Sequence, residues 1–104
     1  MKHSTKPPTK LEAARMRRLK ELPCVACEST WILQKSPTEI HHLLSGNKRK
    51  GHMFTIPLCG WHHRGIAEGD GPSLAHGSKP FHAAFGSDSD LLDATNRMLN
   101  AGYV

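Results

Sequence analysis

An α+β fold is predicted for this 104-residue chain by three features: two cysteine- and histidine-containing pairs far apart in sequence, two strand-like runs around the stretch between them, and capped amphipathic stretches at both ends. A chain this short has room for one compact core, and cores of that size commonly draw stability from a metal or a disulfide. With 38% hydrophobic residues and no apolar run near the ~20 residues of a bilayer span, the sequence reads as soluble, with no membrane partner. Met1 to Lys10 lacks the apolar stretch of a secretory signal, which points to the cytoplasm.

Residues 1–8, with Pro7-Pro8, read as an arm without regular structure. Thr9 followed by Glu12 fits a capping box, and Leu11, Ala14, Leu19 and Leu22 can share one helix face. A basic helix is therefore expected from about residue 10 to 21, ended by Pro23. This divides the chain into a basic arm and helix over 1–21 and one domain over 22–104. Cys24 to Cys27 is expected to form a tight knuckle, and Thr38 to Leu44 the first strand. Ser45-Gly46-Asn47 and the triplet Lys48-Arg49-Lys50 make a turn or loop before a second strand from Met53 to Leu58. A helix starts at Cys59 and reaches Ala67, with Gly69 and Gly71 closing it. Ser78 to Phe85 is a short helix ended by Gly86, and Ser87 or Ser89 caps a last helix running to Ala101. Trp31, Phe54, Trp61, Phe81 and Phe85 are read as packing residues.

The formal charge of +5 is unevenly spread. Residues 1–20 carry seven basic side chains against Glu12 alone, residues 21–64 are mildly basic with Lys48, Arg49 and Lys50 consecutive, and residues 65–104 are net acidic. A basic arm and a basic loop favour a polyanion partner, most simply the phosphate backbone of a nucleic acid. Arg15, Arg17, Arg18, Lys48, Arg49, Lys50 and Arg64 are the candidate contacts.

Three cysteines are an odd number for a disulfide scaffold, and eight histidines are many for so short a chain. Cys24-Val-Ala-Cys27 and Cys59-Gly-Trp-His62 are two chelating pairs separated by 31 residues. Thiolate and imidazole at a separation of three can reach one tetrahedral ion, so Cys24, Cys27, Cys59 and His62 form a candidate structural Zn²⁺ site that uses every cysteine. Its binding energy would form part of the folding energy.

Between the halves of that site lies Glu39-Ile-His41-His42-Leu, and His63-Arg64 follows directly after it. A C-x-x-C pair, a strand ending in a histidine doublet, a basic loop and then Leu58-Cys-Gly-Trp-His-His63 resemble zinc-containing HNH endonucleases of the ββα-metal fold. A longer match runs through His41-His-Leu-Leu, Thr55-Ile-Pro-Leu-Cys, His62-His-Arg-Gly65, His76-Gly77, Phe81, Phe85-Gly86 and Leu91-Leu92. Over about residues 22–100 it is similar to the nuclease domain of the RecA-dependent recombination-enhancement family.

The resemblance implies a small zinc-stabilised ββα-metal domain with flanking helices, acting as a metal-dependent DNA endonuclease. It also implies a RecA filament as partner and a phage or prophage origin in a bacterial host. By position His42 resembles the general base, His41 and His63 the ligands of a catalytic metal, and His76 a further ligand or phosphate contact. Mg²⁺ or Mn²⁺ is the expected catalytic ion, with Zn²⁺ as an alternative occupant because an imidazole set suits softer ions than magnesium. A neutral imidazole can take a proton from water, while the ion neutralises charge on the phosphate.

The family's middle asparagine usually stands about five residues before the knuckle cysteine, where this chain has Phe54; Asn47 and His52, further upstream, are the candidate substitutes, and the sequence does not choose between them. The histidine doublet also needs a strand end or a bulge, because neighbouring side chains on a regular strand face opposite ways. The alternative reading is a non-catalytic, zinc-stabilised module that binds nucleic acid through its basic arm. It accounts for the cysteines and the charge but leaves His41, His42 and His63 without a task.

Overall fold

A computed structural model describes residues 7–46 and 48–102. Of the arm expected over residues 1–8, residues 1–6 lie outside the described residues, as does Asn47, a candidate for the family's asparagine. The chain runs α1 (Lys10–Glu21), α2 (Val25–Thr30), β1 (Thr38–His42), β2 (Leu44–Ser45), β3 (Lys48–Arg49), β4 (Thr55–Cys59), α3 (Gly60–Arg64), a single 3₁₀ turn (Leu74–His76), α4 (Ser78–Phe85) and α5 (Asp88–Asn100). This is a small α+β protein, and its described residues form two antiparallel two-stranded sheets. No described helix is long and apolar enough to cross a membrane.

Helix α1 begins as its sequence demands: the Thr9 hydroxyl accepts from Glu12 N–H at 3.2 Å, and the Glu12 carboxylate accepts from Thr9 N–H at 2.8 Å. Its inner stripe runs through Leu11, Arg15, Leu19 and Leu22, but only the last three are buried. Leu11 remains 79% exposed, because the first turn overhangs an open groove that it shares with Met53 and Phe54. A second capping box, Ser87 with Asp90, starts α5, so Ser87 is the cap.

Strand β4 pairs with β1 in the register Thr38↔Cys59 to His42↔Thr55. All five residues of β4 are buried, and Pro57 is tolerated because a two-stranded sheet leaves each strand one edge that donates no ladder bond. The expected strand to Leu44 is broken at Leu43, whose N–H donates to Phe54 O at 2.9 Å while its carbonyl accepts from Lys50 N–H at 3.0 Å. There the chain leaves β4 and turns into the short β2–β3 hairpin. Met53 and Phe54 belong to the turn before β4 and are 47% and 39% exposed, which corrects the expectation of a strand there and of Phe54 in the core. Trp31 also leaves the expected core: it is 95% exposed at the end of α2, in the left-handed region at φ 59°. Phe81 and Phe85 are buried as expected, in a core with Leu19, Leu22, Leu58 and Leu91.

Arg15 joins three elements from inside. Its Nε donates to Thr55 Oγ1 at 3.0 Å, Nη2 to Thr55 O at 2.6 Å and Nη1 to Asn96 Oδ1 at 2.9 Å. The guanidinium is thus spent on β4 and α5 and is withdrawn from the set of DNA contacts expected from sequence, while Arg17 and Arg18 are exposed. Replacing it by methionine leaves buried oxygens without donors, so Arg15→Met should cost about 2–4 kcal/mol in urea unfolding. Arg17→Met, on the exposed side of the same helix, should change stability by less than about 0.5 kcal/mol.

Candidate functional site

Cys24 caps α2 and Cys27 lies in its first turn; Cys59 ends β4 and caps α3, which carries His62. All four are buried, and among the described residues they form the one group of three or more potential ligands whose donor atoms lie within 4.8 Å of one another. His62 Nδ1 is 3.6, 3.4 and 3.3 Å from the sulfurs of Cys24, Cys27 and Cys59, and the Cys27 and Cys59 sulfurs are 3.9 Å apart. A tetrahedral ion with Zn–S of about 2.3 Å and Zn–N of about 2.1 Å requires edges of roughly 3.8 Å between sulfurs and 3.6 Å from sulfur to nitrogen. Donor set and size therefore both fit zinc.

The surroundings fix these donors. His62 Nε2 donates to Asp70 O at 2.8 Å, and since a carbonyl can only accept, Nδ1 is the ring nitrogen left for the ion. Cys24 N–H donates to the Gln34 side chain at 2.7 Å, and Gly60 N–H to Ser36 Oγ at 2.9 Å, so the loop between the two halves is tied to both. Phe85 packs edge-on against the His62 ring at 4.9 Å. Hydrogen bonding to Cys27, with burial, pushes the Cys24 thiol up to about 11, and hydrogen bonding to Cys24, with burial, pushes Cys59 up to about 12. Zinc uptake must displace those protons.

The second set of histidines divides over the two faces of β1. On one face, Glu39 and His41 meet α3: the His41 and His63 rings are edge to face at 5.0 Å, and Glu39 Oε1 accepts from His63 Nδ1 at 2.9 Å. Glu39 also receives Arg64, Nε at 2.9 Å and Nη2 at 2.5 Å, and this contact first, then His63, holds its carboxyl below the usual range. On the other face, His42 Nε2 lies 3.1 Å from His52 Nδ1. His42 is the last residue of β1, but the register is regular through it and no bulge turns it towards His41. The doublet thus serves two neighbouring clusters.

Burial, then His63, lowers His41 to about 4, with Asp88 opposing and His42 and His82 adding to the fall. His42 is lowered by burial first, then by Arg49 and His52. Both rings are therefore neutral near pH 7.

His76 is elsewhere. Its ring lies edge to face with Trp61 at 5.5 Å and so close over Gly65 that a Cβ there would come within 2.7 Å of it. Gly65, at φ 71°, ends α3 at Arg64, so the expected continuation to Ala67 does not occur. Sequence reasoning assigned no role to Glu39, His82 or Asp88. His82 donates through Nδ1 to Gly86 O at 2.8 Å, and its Nε2 faces Asp88 at 3.4 Å. The i, i+4 spacing from His82 to Gly86 was legible, but its approach to His41 from across the fold was not.

The fold and clusters define a small α+β protein with a zinc-type knuckle and an adjoining group of imidazoles. Residues 8–100 match the family described as recombination enhancement, RecA-dependent nuclease, and the chain belongs to that family. By family it is a nuclease. No curated protein matches the chain.

The purified protein should carry one zinc per chain by elemental analysis, and Cys27→Ser should lose both the metal and cooperative unfolding; a folded, zinc-free variant would count against the site. A folded-state pKa below the ordinary 6.5 also means that His41 resists protonation while the unfolded chain accepts it. Above pH ~6.5 the ring is neutral in both states, and its contribution to stability is lost as pH falls towards about 4. In an NMR titration without added divalent metal, the His41 ring signals should stay at their neutral positions from pH 7 to pH 5.

Proposed function

We propose that the protein is a metal-dependent DNA endonuclease of the HNH type, hydrolysing phosphodiester bonds with His42 as general base and a divalent ion held by His41 and His63. The observation that carries this reading is the apposition of His41 to His63, with Glu39 on the second nitrogen of His63. A carboxylate behind an imidazole is the arrangement that fixes a metal-binding histidine: it occupies Nδ1, orients the ring and leaves Nε2 as the donor. A divalent ion there would neutralise charge on a phosphate oxygen and on the leaving 3′-oxygen.

The rest of the chemistry belongs to the chain. As the last residue of β1, His42 stands beside the His41 cluster although its side chain leaves by the other face, and it is neutral near pH 7, so at this strand end it can accept a proton from the attacking water. Its Nε2 is engaged by His52, which leaves Nδ1 as the atom that receives the proton. The β2–β3 hairpin carries Lys48 and Arg49, and Arg49 is near enough to act on His42 electrostatically. These residues, with Lys50, Arg64, Arg17 and Arg18, are the proposed phosphate contacts. Arg15 is not among them, because its donors are used inside the fold. His76, whose ring packs on Trp61 and over Gly65, is left out of the proposed catalytic set. The RecA dependence named by the family supports a RecA filament as partner and recombination intermediates as substrates, met in the bacterial cytoplasm.

Incubation with linear, circular, branched and RecA-coated single-stranded DNA, each with and without Mg²⁺ or Mn²⁺, should give metal-dependent nicks or breaks. His42→Ala should keep fold, zinc and DNA affinity while cleavage falls by about 100-fold or more. Cleavage at the wild-type rate would remove His42 as the base. DNA binding by the wild-type protein without any cleavage would favour the non-catalytic module instead.

A further inference from the structure

His52 lies in the turn between β3 and β4, and its ring meets His42 edge to face with centroids 5.3 Å apart. For His42 to accept a proton at Nδ1, its Nε2 must carry a hydrogen, and the atom placed to receive that hydrogen is His52 Nδ1, 3.1 Å away. The turn bearing His52 is itself anchored from the interior. Thr55 Oγ1 donates to His52 O at 2.9 Å and accepts from Arg15 Nε at 3.0 Å. A hydroxyl has one proton, so a donor supplied by Arg15 leaves Thr55's own hydrogen for the His52 carbonyl. Arg15 in turn grips Thr55 O and Asn96 Oδ1. A continuous chain of hydrogen bonds therefore runs from α5 and α1, through the first residue of β4, to the backbone carbonyl of His52, whose ring lies beside His42. Arg15 and Thr55 are both buried, so water does not compete for these bonds.

We propose that His52 is a positioning residue that fixes the tautomer and orientation of His42, and that Arg15 acts through Thr55 to hold His52 in place. This deepens the assignment of His42 as the base and rests on it. The turn is closed by backbone hydrogen bonds: Phe54 N–H donates to Gly51 O at 3.1 Å, and Leu43 N–H donates to Phe54 O at 2.9 Å. A side-chain replacement at 52 can thus report on His42 without unfolding the turn.

The test measures kcat and KM for DNA cleavage, together with DNA affinity, zinc content and thermal unfolding, in His52→Leu, His52→Asn, Thr55→Val and His42→Ala. His52→Leu should lower kcat about 10- to 100-fold with KM within about twofold. His52→Asn should recover to within about threefold of wild type, because the Asn side-chain oxygen can accept the His42 hydrogen in place of Nδ1. Thr55→Val keeps the volume but removes the hydroxyl, and should lower kcat about 3- to 10-fold with KM unchanged. Wild-type kcat in His52→Leu, or His52→Asn as slow as His52→Leu, overturns the role of His52. Wild-type kcat in Thr55→Val overturns the arm through Arg15. If His42→Ala is inactive while His52→Leu runs at full rate, only this inference fails; if His42→Ala itself cleaves normally, the assignment of the base fails.

Discussion

The cluster of Cys24, Cys27, Cys59 and His62 is the constraint on which the remainder of the molecule depends. Helix α2 has six residues and α3 five, and a sheet of two strands has little stability of its own. None of these pieces would persist alone in water. Four donor atoms that converge within 4.8 Å of one another, as a tetrahedral ion would require, join the start of α2, the end of β4 and the first turn of α3 in a single arrangement. Because His62 is fixed at both ring nitrogens, the rotation of α3 about its axis is fixed too. His63, about 100° further round, is thereby directed at Glu39 and His41. The knuckle thus positions a residue of the neighbouring site as a by-product of holding the fold.

A second, weaker constraint works from the opposite side of the sheet. Arg15 carries a charge into the interior, where burial lowers its pKa, and it donates to neutral oxygens of Thr55 and Asn96. Such an arrangement is an expensive way to fill a core position, and a leucine would serve packing better. What it supplies is direction: three donors in a rigid fork fix β4 and α5 relative to α1. The point they fix, Thr55, is also the residue paired with His42. The two constraints meet at opposite ends of the five-residue strand β4, with Thr55 at one and Cys59 at the other.

Features governed by neighbours in the chain were legible without coordinates. The capping box at Thr9 and Glu12, the bounds Lys10–Glu21 and Ser78–Phe85, and the knuckle pairs all involve residues three or four apart. Those that depended on distant partners were not. Arg15 looked like part of a basic face because nothing nearby in sequence discloses Thr55 or Asn96, residues 40 and 81 positions away. Trp31 and Phe54 were assigned to the core on hydrophobicity alone, but they sit at the end of a helix and in a turn, where the chain faces outward. His82 is half-buried, as its amphipathic stretch implies, but nothing near it in sequence discloses that it faces Asp88 and acts on His41.

The sequence by itself determined that this is a small α+β protein with a Cys₃His knuckle, since spacing within each chelating pair already limits the ion it can hold. It also nominated the histidines around which chemistry was to be sought. Only the tertiary structure decided how those histidines are grouped. Strand pairing sends His41 and His42 to opposite faces, α3 brings His63 and not His76 to His41, and the turn before β4 lays His52 on His42. The reason is geometric. A side chain's direction follows from strand register and helix rotation, and both are set by contacts between segments that the linear order keeps apart.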